Sequence, residues 1–232
     1  MKTNRSIFFL LTLLCINALA QNDSEQVARA FDKAKILLSF DNLKTALLNE
    51  DGKEVLNYID SRTFNYYGGI LKKSRTLDST ATEKLPLFDK AFVFITRHLS
   101  LKDKIGLMND TSFFIYAVEH KMIDKIGSSI GGTDIDTIII SKDSAKARLM
   151  VSKQVQDILQ LKDINIGLPG LYFYKERDNW KVNLTSQIPF TYAAIKYAVK
   201  NAGLSETEFL LANMPQESKE KIGSEIWKPI EP

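Results

Sequence analysis

A change of hydrophobic period near Gly131-Gly132 divides this chain. Upstream, apolar residues recur three and four apart, the spacing of amphipathic helices. Val27, Phe31, Ala34 and Leu38 run on into Leu43, Ala46 and Leu47. Val55, Leu56 and Ile59 lead to Phe64, Tyr67 and Leu71, with a helix cap expected near Ser61. Pro86 suits the first turn of a further helix through Phe88, Phe92 and Ile95 to Leu99, and Pro in that position costs no backbone donor. Ser100 with Asp103 marks a short helix start, and Phe113 to Met122 another helix. Downstream the period becomes two: Ala145, Ala147, Leu149 and Val151 alternate with Lys146, Arg148, Met150 and Ser152. Side chains two apart share a strand face, so this reads as a strand with one face buried. Leu171 to Glu176, the polar turn Arg177-Asp178-Asn179, and Trp180 to Thr185 read as a hairpin, with Trp180, Val182 and Leu184 facing inward together. Helices, then antiparallel strands, then helices again predict an α+β fold with helices packed on one face of a curved sheet.

The closing helices carry sharp local signals. Ile188, Tyr192, Ile195, Val199 and Ala202 form a stripe, Pro189 sits at its start, and Gly203 is placed to end it. Ser205-x-x-Glu208 is a capping box, flanked by Leu204 and Phe209 at the staple positions. The apolar tail Ile226-Trp227-Lys228-Pro229-Ile230 is expected to dock on the body through Trp227.

The other end reads as a secretory signal peptide over residues 1–20. Lys2 and Arg5 supply positive charge, Ile7 to Ile16 an apolar run, and Ala18-Leu19-Ala20 a small-x-small processing site before polar Gln21. The run is too short to anchor a span. Bulky Leu14 before Cys15 disfavours a lipoprotein reading. The expected location is therefore periplasmic or secreted, with no stable membrane insertion after cleavage. Cys15 is the only cysteine, so cleavage leaves no disulfide, thiol nucleophile or thiolate ligand. Removing Lys2 and Arg5 takes the 31 basic residues to 29 against 28 acidic ones, a balance that implies no nucleic-acid partner.

Ala46-Leu47-Leu48-Asn49-Glu50-Asp51-Gly52, the pair Tyr66-Tyr67, and Phe173-Tyr174-Lys175-Glu176 followed by Trp180-Lys181-Val182-Asn183-Leu184 carry a resemblance. They resemble the nuclear transport factor 2-like superfamily, the cone-shaped fold shared by ketosteroid isomerase-like proteins. The resemblance covers Ala46 to Ser186 and departs in a long helical insertion between Leu77 and Ile130. It implies a cone-like α+β domain over residues 21–186 with a concave pocket, followed by C-terminal helices and a docking tail over residues 187–232. It implies no particular reaction.

No motif assigns chemistry. Gly127-Ser128-Ser129-Ile130-Gly131 fits the nucleophile-elbow pattern, but that motif needs a strand before it and a histidine after it. Met122 to Ile126 reads as a helix end, and His98 and His120 both come earlier. A phosphate loop fails too, since Thr133 stands where its lysine would be, so Gly127 to Gly132 is read as a turn. The histidine spacing fits no metal motif, and helix-end placement accounts for both. Lys175 and Glu176 lie on opposite strand faces and form no acid–base couple.

Tyr67, Tyr116, Tyr172 and Tyr174, each a ring with a hydroxyl tip, are the candidate ligand-binding residues. Arg97 joins them as a cation inside an apolar helix, expected either to reach solvent or to pair with Glu119 or Asp103. If Tyr172 and Tyr174 share the inward face with Trp180, they form a polar-tipped pocket with Tyr67. If Leu171 and Phe173 do, the core is packed and the envelope-scaffold reading is favoured. The sequence therefore predicts an exported domain that binds a small apolar or amphipathic ligand, or a protein partner such as an envelope protein, with no catalysis assigned and without a cofactor. Two alternatives stand beside it: a small-substrate isomerase, dehydratase or hydrolase of the same fold, and an envelope scaffold. Paired acids in the pocket would favour the enzyme, and an apolar pocket without acids favours binding.

Overall fold

The computed structural model of the chain describes residues 4–100, 104–123, 130, 133–151, 170–213 and 223–230; for residues 4–24 and 151 it gives the backbone course alone. The Gly127–Gly131 pattern, apart from Ile130, and the stretch from Lys153 to Pro169 lie outside the described residues, as does Asp103. Among the described residues the fold is α+β, with eight helices and a four-stranded antiparallel sheet.

Helix α1 (Asn4–Leu48) runs unbroken across the Ala20-Gln21 junction. It buries Ile36, Phe40, Leu43 and Ala46. This corrects the sequence reading of its stripe, because Val27, Phe31 and Leu38 are 68%, 66% and 61% exposed. Helix α1 carries two apolar stripes on roughly opposite sides at this level, and the one that meets the sheet also brings Ser39 and Asp32 to Trp180. The Ser39 hydroxyl donates to the Trp180 carbonyl at 2.8 Å, and the indole Nε1 donates to Asp32 at 2.8 Å.

Asp51 caps the short helix α2 (Gly52–Val55) by accepting from the Glu54 N–H. A Cβ on Gly52 would lie 2.7 Å from the Ile115 backbone, so only glycine lets this turn approach the helix that carries Ile115. Helix α3 (Ser61–Thr76) is capped by Asp60, one residue before the cap expected at Ser61. Helix α4 (Ser79–Glu83) is one turn long and is capped by Asp78. Helix α5 (Leu87–Ser100) is the most enclosed element, buried from Leu87 through Phe88 and again from Lys90 to His98. Its Leu87, Phe92, Val93 and Phe94 are at the centre of the core. A 3-10 turn (Ile105–Leu107) leads to helix α6 (Asp110–Glu119), capped by Asn109, which packs on α3 and α2.

Strands β1 (Thr133–Ser141), β2 (Ser144–Val151), β3 (Leu171–Glu176) and β4 (Asn179–Asn183) form the sheet in that order. The register places Ala145 opposite Phe173, Ala147 opposite Leu171, and Phe173 opposite Val182. Directly opposed residues point to the same face. Alternation along β4 puts Trp180 on that face too, and all five of these partners are buried. Leu184 is also buried but lies past the strand, in a 3-10 turn (Leu184–Gln187) that follows β4 directly. Asn183 caps this turn by accepting from the Ser186 N–H at 3.1 Å.

Helix α7 (Ile188–Ala202) ends at Gly203 with φ +66°, a conformation that glycine enters without a Cβ clash. Helix α8 (Glu206–Asn213) begins with the reciprocal capping box: Ser205 N–H donates to Glu208 at 2.8 Å, and Glu208 N–H donates back to the Ser205 hydroxyl at 3.2 Å. The Ser205 hydroxyl, which donates to the Glu208 carboxylate at 2.7 Å, and then the Ser205 N–H hold that carboxyl below the usual range. The tail folds as a 3-10 turn (Ser224–Trp227) against α5. Trp227 stands edge-on to Phe94 at 4.8 Å, and Ile226 beside it is fully buried. The tail is thus docked, as its apolar composition predicts, with Ile226 as the deeper anchor.

Candidate functional site

Between α1, α3, α5 and the start of α7 the packing leaves a cavity. Its apolar wall is Leu47, Phe88, Ile123, Ile130, Leu184 and Ile188, and its polar groups belong to Tyr67, Thr185, Gln187 and Thr191. About 490 Å³ is free of atoms when the part open to solvent is counted, and about 30 Å³ admits the centre of a water-sized sphere. One water needs about 10–15 Å³ on that scale, so the cavity has room for about two waters or the slender end of a larger molecule.

Tyr67 is held at this site by its ring. Edge-to-face contacts with Phe92 at 5.4 Å and Phe114 at 5.5 Å come from α5 and α6, while Tyr66 meets it at 5.4 Å from the same helix. Such contacts position an aromatic side chain more tightly than burial alone. Its hydroxyl has no hydrogen-bond partner among the described residues, and burial pushes the phenol pKa well up, so the group remains a protonated donor. Neighbouring Tyr66 differs: burial again raises its pKa most, and its hydroxyl donates to Asp89 at 2.7 Å, where Lys73 also pairs.

Gln187 comes from the other wall. The sharp turn after β4 brings it in just before α7, where it is 8% exposed and its side-chain Nε2 is buried without a partner. Buried polar groups are almost always satisfied in folded proteins, so such an atom calls for an explanation. Thr185 and Thr191 are already committed: their hydroxyls donate to Asn183 Oδ1 at 2.5 Å and to the Gln187 carbonyl at 3.2 Å. Among the described residues no acid, histidine or lysine lines the cavity. Those residues offer hydrogen-bond donors and hydrocarbon.

The other candidates do not join Tyr67. Tyr172 and Tyr174 lie on the opposite sheet face from Trp180 and Val182, because β3 takes the register that turns Leu171 and Phe173 inward. Tyr174 instead stacks under the Arg62 guanidinium at 3.7 Å, and Tyr172 meets Lys146 at 5.6 Å. The polar-tipped pocket of three tyrosines is therefore not assembled, and the inner sheet face is packed. Tyr116 is buried on α6 and stacks on His120 at 3.8 Å, away from the cavity lining.

Arg97 does not reach solvent, and among the described residues it pairs with no acid. It is 1% exposed, and its guanidinium donates to the carbonyls of Ser74 at 3.0 Å, Leu77 at 2.5 Å and Ile226 at 3.0 Å, and to the Thr82 hydroxyl at 3.1 Å. It binds the open carbonyls at the C-terminal end of α3 and fastens the tail, where a cation also suits the helix dipole. Burial pushes its pKa down, yet a guanidinium stays charged. His98 is buried against Glu225 of the tail, and His120 closes α6 as its cap residue. Gln187 was invisible to sequence reasoning, since nothing local distinguishes a glutamine before a helix from a solvated one.

No known family, curated protein or solved structure matches this chain. Its function has to be argued from the cavity. No helix among the described residues is long and apolar enough to cross a membrane.

Proposed function

We propose that this chain is exported and binds a small amphipathic ligand, without catalysis, in the cavity between Tyr67 and Gln187. The observation that carries the reading is an apolar wall together with the buried, unpartnered Gln187 Nε2 and the Tyr67 hydroxyl, which has no hydrogen bond among the described residues. A small-molecule site is usually built this way, from hydrocarbon plus a few placed polar groups. The absence of acids among the described lining residues favours this reading over an enzyme of the cone-like fold that the hairpin and the Ala46–Gly52 segment suggest.

The test is a thermal-shift screen of lipids and metabolites on the wild type, Tyr67→Phe and Tyr174→Phe. Ligands should raise the Tm of the wild type and of Tyr174→Phe, whose ring lies on the far sheet face, and should lose most of that shift in Tyr67→Phe. A screen with no shift, or one in which Tyr67→Phe keeps the whole shift, rejects the cavity as the site. Export is checked separately by intact mass of the protein recovered from the host envelope. The expected chain starts near Gln21 without lipid, and an acylated form that retains Cys15 would overturn the cleavage reading.

A further inference from the structure

We infer that the cavity selects an uncharged ligand carrying a hydrogen-bond acceptor, a carbonyl or similar oxygen on a slender hydrocarbon frame, and rejects the carboxylate of the same size. This inference rests on the binding reading above and adds the chemistry of the ligand.

Unused hydrogen-bonding capacity decides the polarity of the partner. The Tyr67 hydroxyl and the Gln187 Nε2 are both donors without acceptors, while the Thr185 and Thr191 hydrogens are spent within the protein. A ligand therefore gains most by bringing an acceptor, and a hydrocarbon leaves both donors orphaned. Tyr67 keeps its proton to donate, since burial drives its pKa away from neutrality.

The lining decides the charge. None of the described residues around the cavity is cationic, so a carboxylate would surrender its hydration to two neutral donors and an apolar wall. An ion buried without a counter-charge is disfavoured far more than a neutral carbonyl. The size decides the shape: a cavity with room for about two waters admits one small polar head on a thin chain, with Leu47, Phe88 and Ile188 among its apolar lining.

The experiment is a heteronuclear NMR titration of the protein with three molecules of similar length: 2-hexanone, 2-methyl-1-hexene, which replaces the carbonyl oxygen by CH2, and hexanoate. The ketone is expected to bind about ten-fold more tightly than either of the others, the discrimination that one well-placed hydrogen bond supplies. Tyr67→Phe and Gln187→Leu should each reduce ketone affinity several-fold and leave the alkene unchanged. Both variants should match or exceed the wild-type Tm, because each removes a polar atom that has no partner. Equal binding of ketone and alkene, or tighter binding of hexanoate, overturns the acceptor inference and leaves the binding reading standing. If none of the three perturbs residues around the cavity, the cavity holds water only and both fall.

Discussion

Replacing Arg97 with methionine is expected to destabilise the protein by about 4 kcal/mol, as the sum of several buried carbonyls each losing a charge-assisted donor. The side chain sits at a crossing point of the fold. Its guanidinium reaches the Ser74 and Leu77 carbonyls at the end of α3, the Thr82 hydroxyl on α4, and the Ile226 carbonyl of the tail. Methionine fills much of the volume but donates nothing, so these acceptors stay dry and unpaired. Urea unfolding measures the loss. Limited proteolysis gives a second readout, because the tail is held by the same group: cleavage near residues 223–230 should accelerate in the variant. Arg97→Lys should recover less than half of the stability, since one ammonium cannot meet acceptors arranged around a planar fork. A loss below about 1 kcal/mol, the scale of one ordinary hydrogen bond, would show that the network contributes little.

Asp60→Ala is expected to cost about 3 kcal/mol, combining a lost helix cap with buried donors left open. The Asp60 carboxylate is wholly buried and accepts from the Thr63 N–H at 2.9 Å, the Thr63 hydroxyl at 2.7 Å and Arg62 at 3.2 Å. Its backbone N–H donates to the Val182 carbonyl at 2.9 Å, and the Thr63 hydroxyl oxygen accepts from the Leu184 N–H at 2.9 Å. One side chain therefore starts α3 and fixes that start against β4 and the turn leading to Gln187. Asp60→Asn keeps an oxygen for Thr63 and should lose only about 1 kcal/mol, the difference between a charged and a neutral acceptor. Equal losses in the two variants would mean that charge, rather than the cap geometry, holds this corner.

The parts of the fold that were legible beforehand share a physical property: their determinants lie within a few residues of each other. The Ser205–Glu208 capping box, the Gly203 stop and the alternation of Ala145, Ala147 and Leu149 all appear where the sequence places them. Cap chemistry and side-chain period act over one turn or one pleat, so the local sequence determines them. The α+β arrangement follows from the change of period, and the docking of the tail from its concentration of apolar residues.

Only the tertiary structure decided the rest, because it depends on residues distant in the chain. Helix α1 offers two apolar stripes, and contact with Trp180, 141 residues beyond Ser39, selects the one that is buried. The hairpin alternation is compatible with either tyrosines or Leu171 and Phe173 facing inward, and the pairing of Phe173 with Ala145 and Val182 settles it. Arg97 looked like a functional cation until partners 15 to 129 positions away converged on it. Gln187 and Tyr67 lie 120 positions apart with no motif between them, yet the turn after β4 brings them to one cavity. Local preference sets which elements form. Register, facing and the satisfaction of buried polar groups are properties of the packed whole, and the candidate site is made of those.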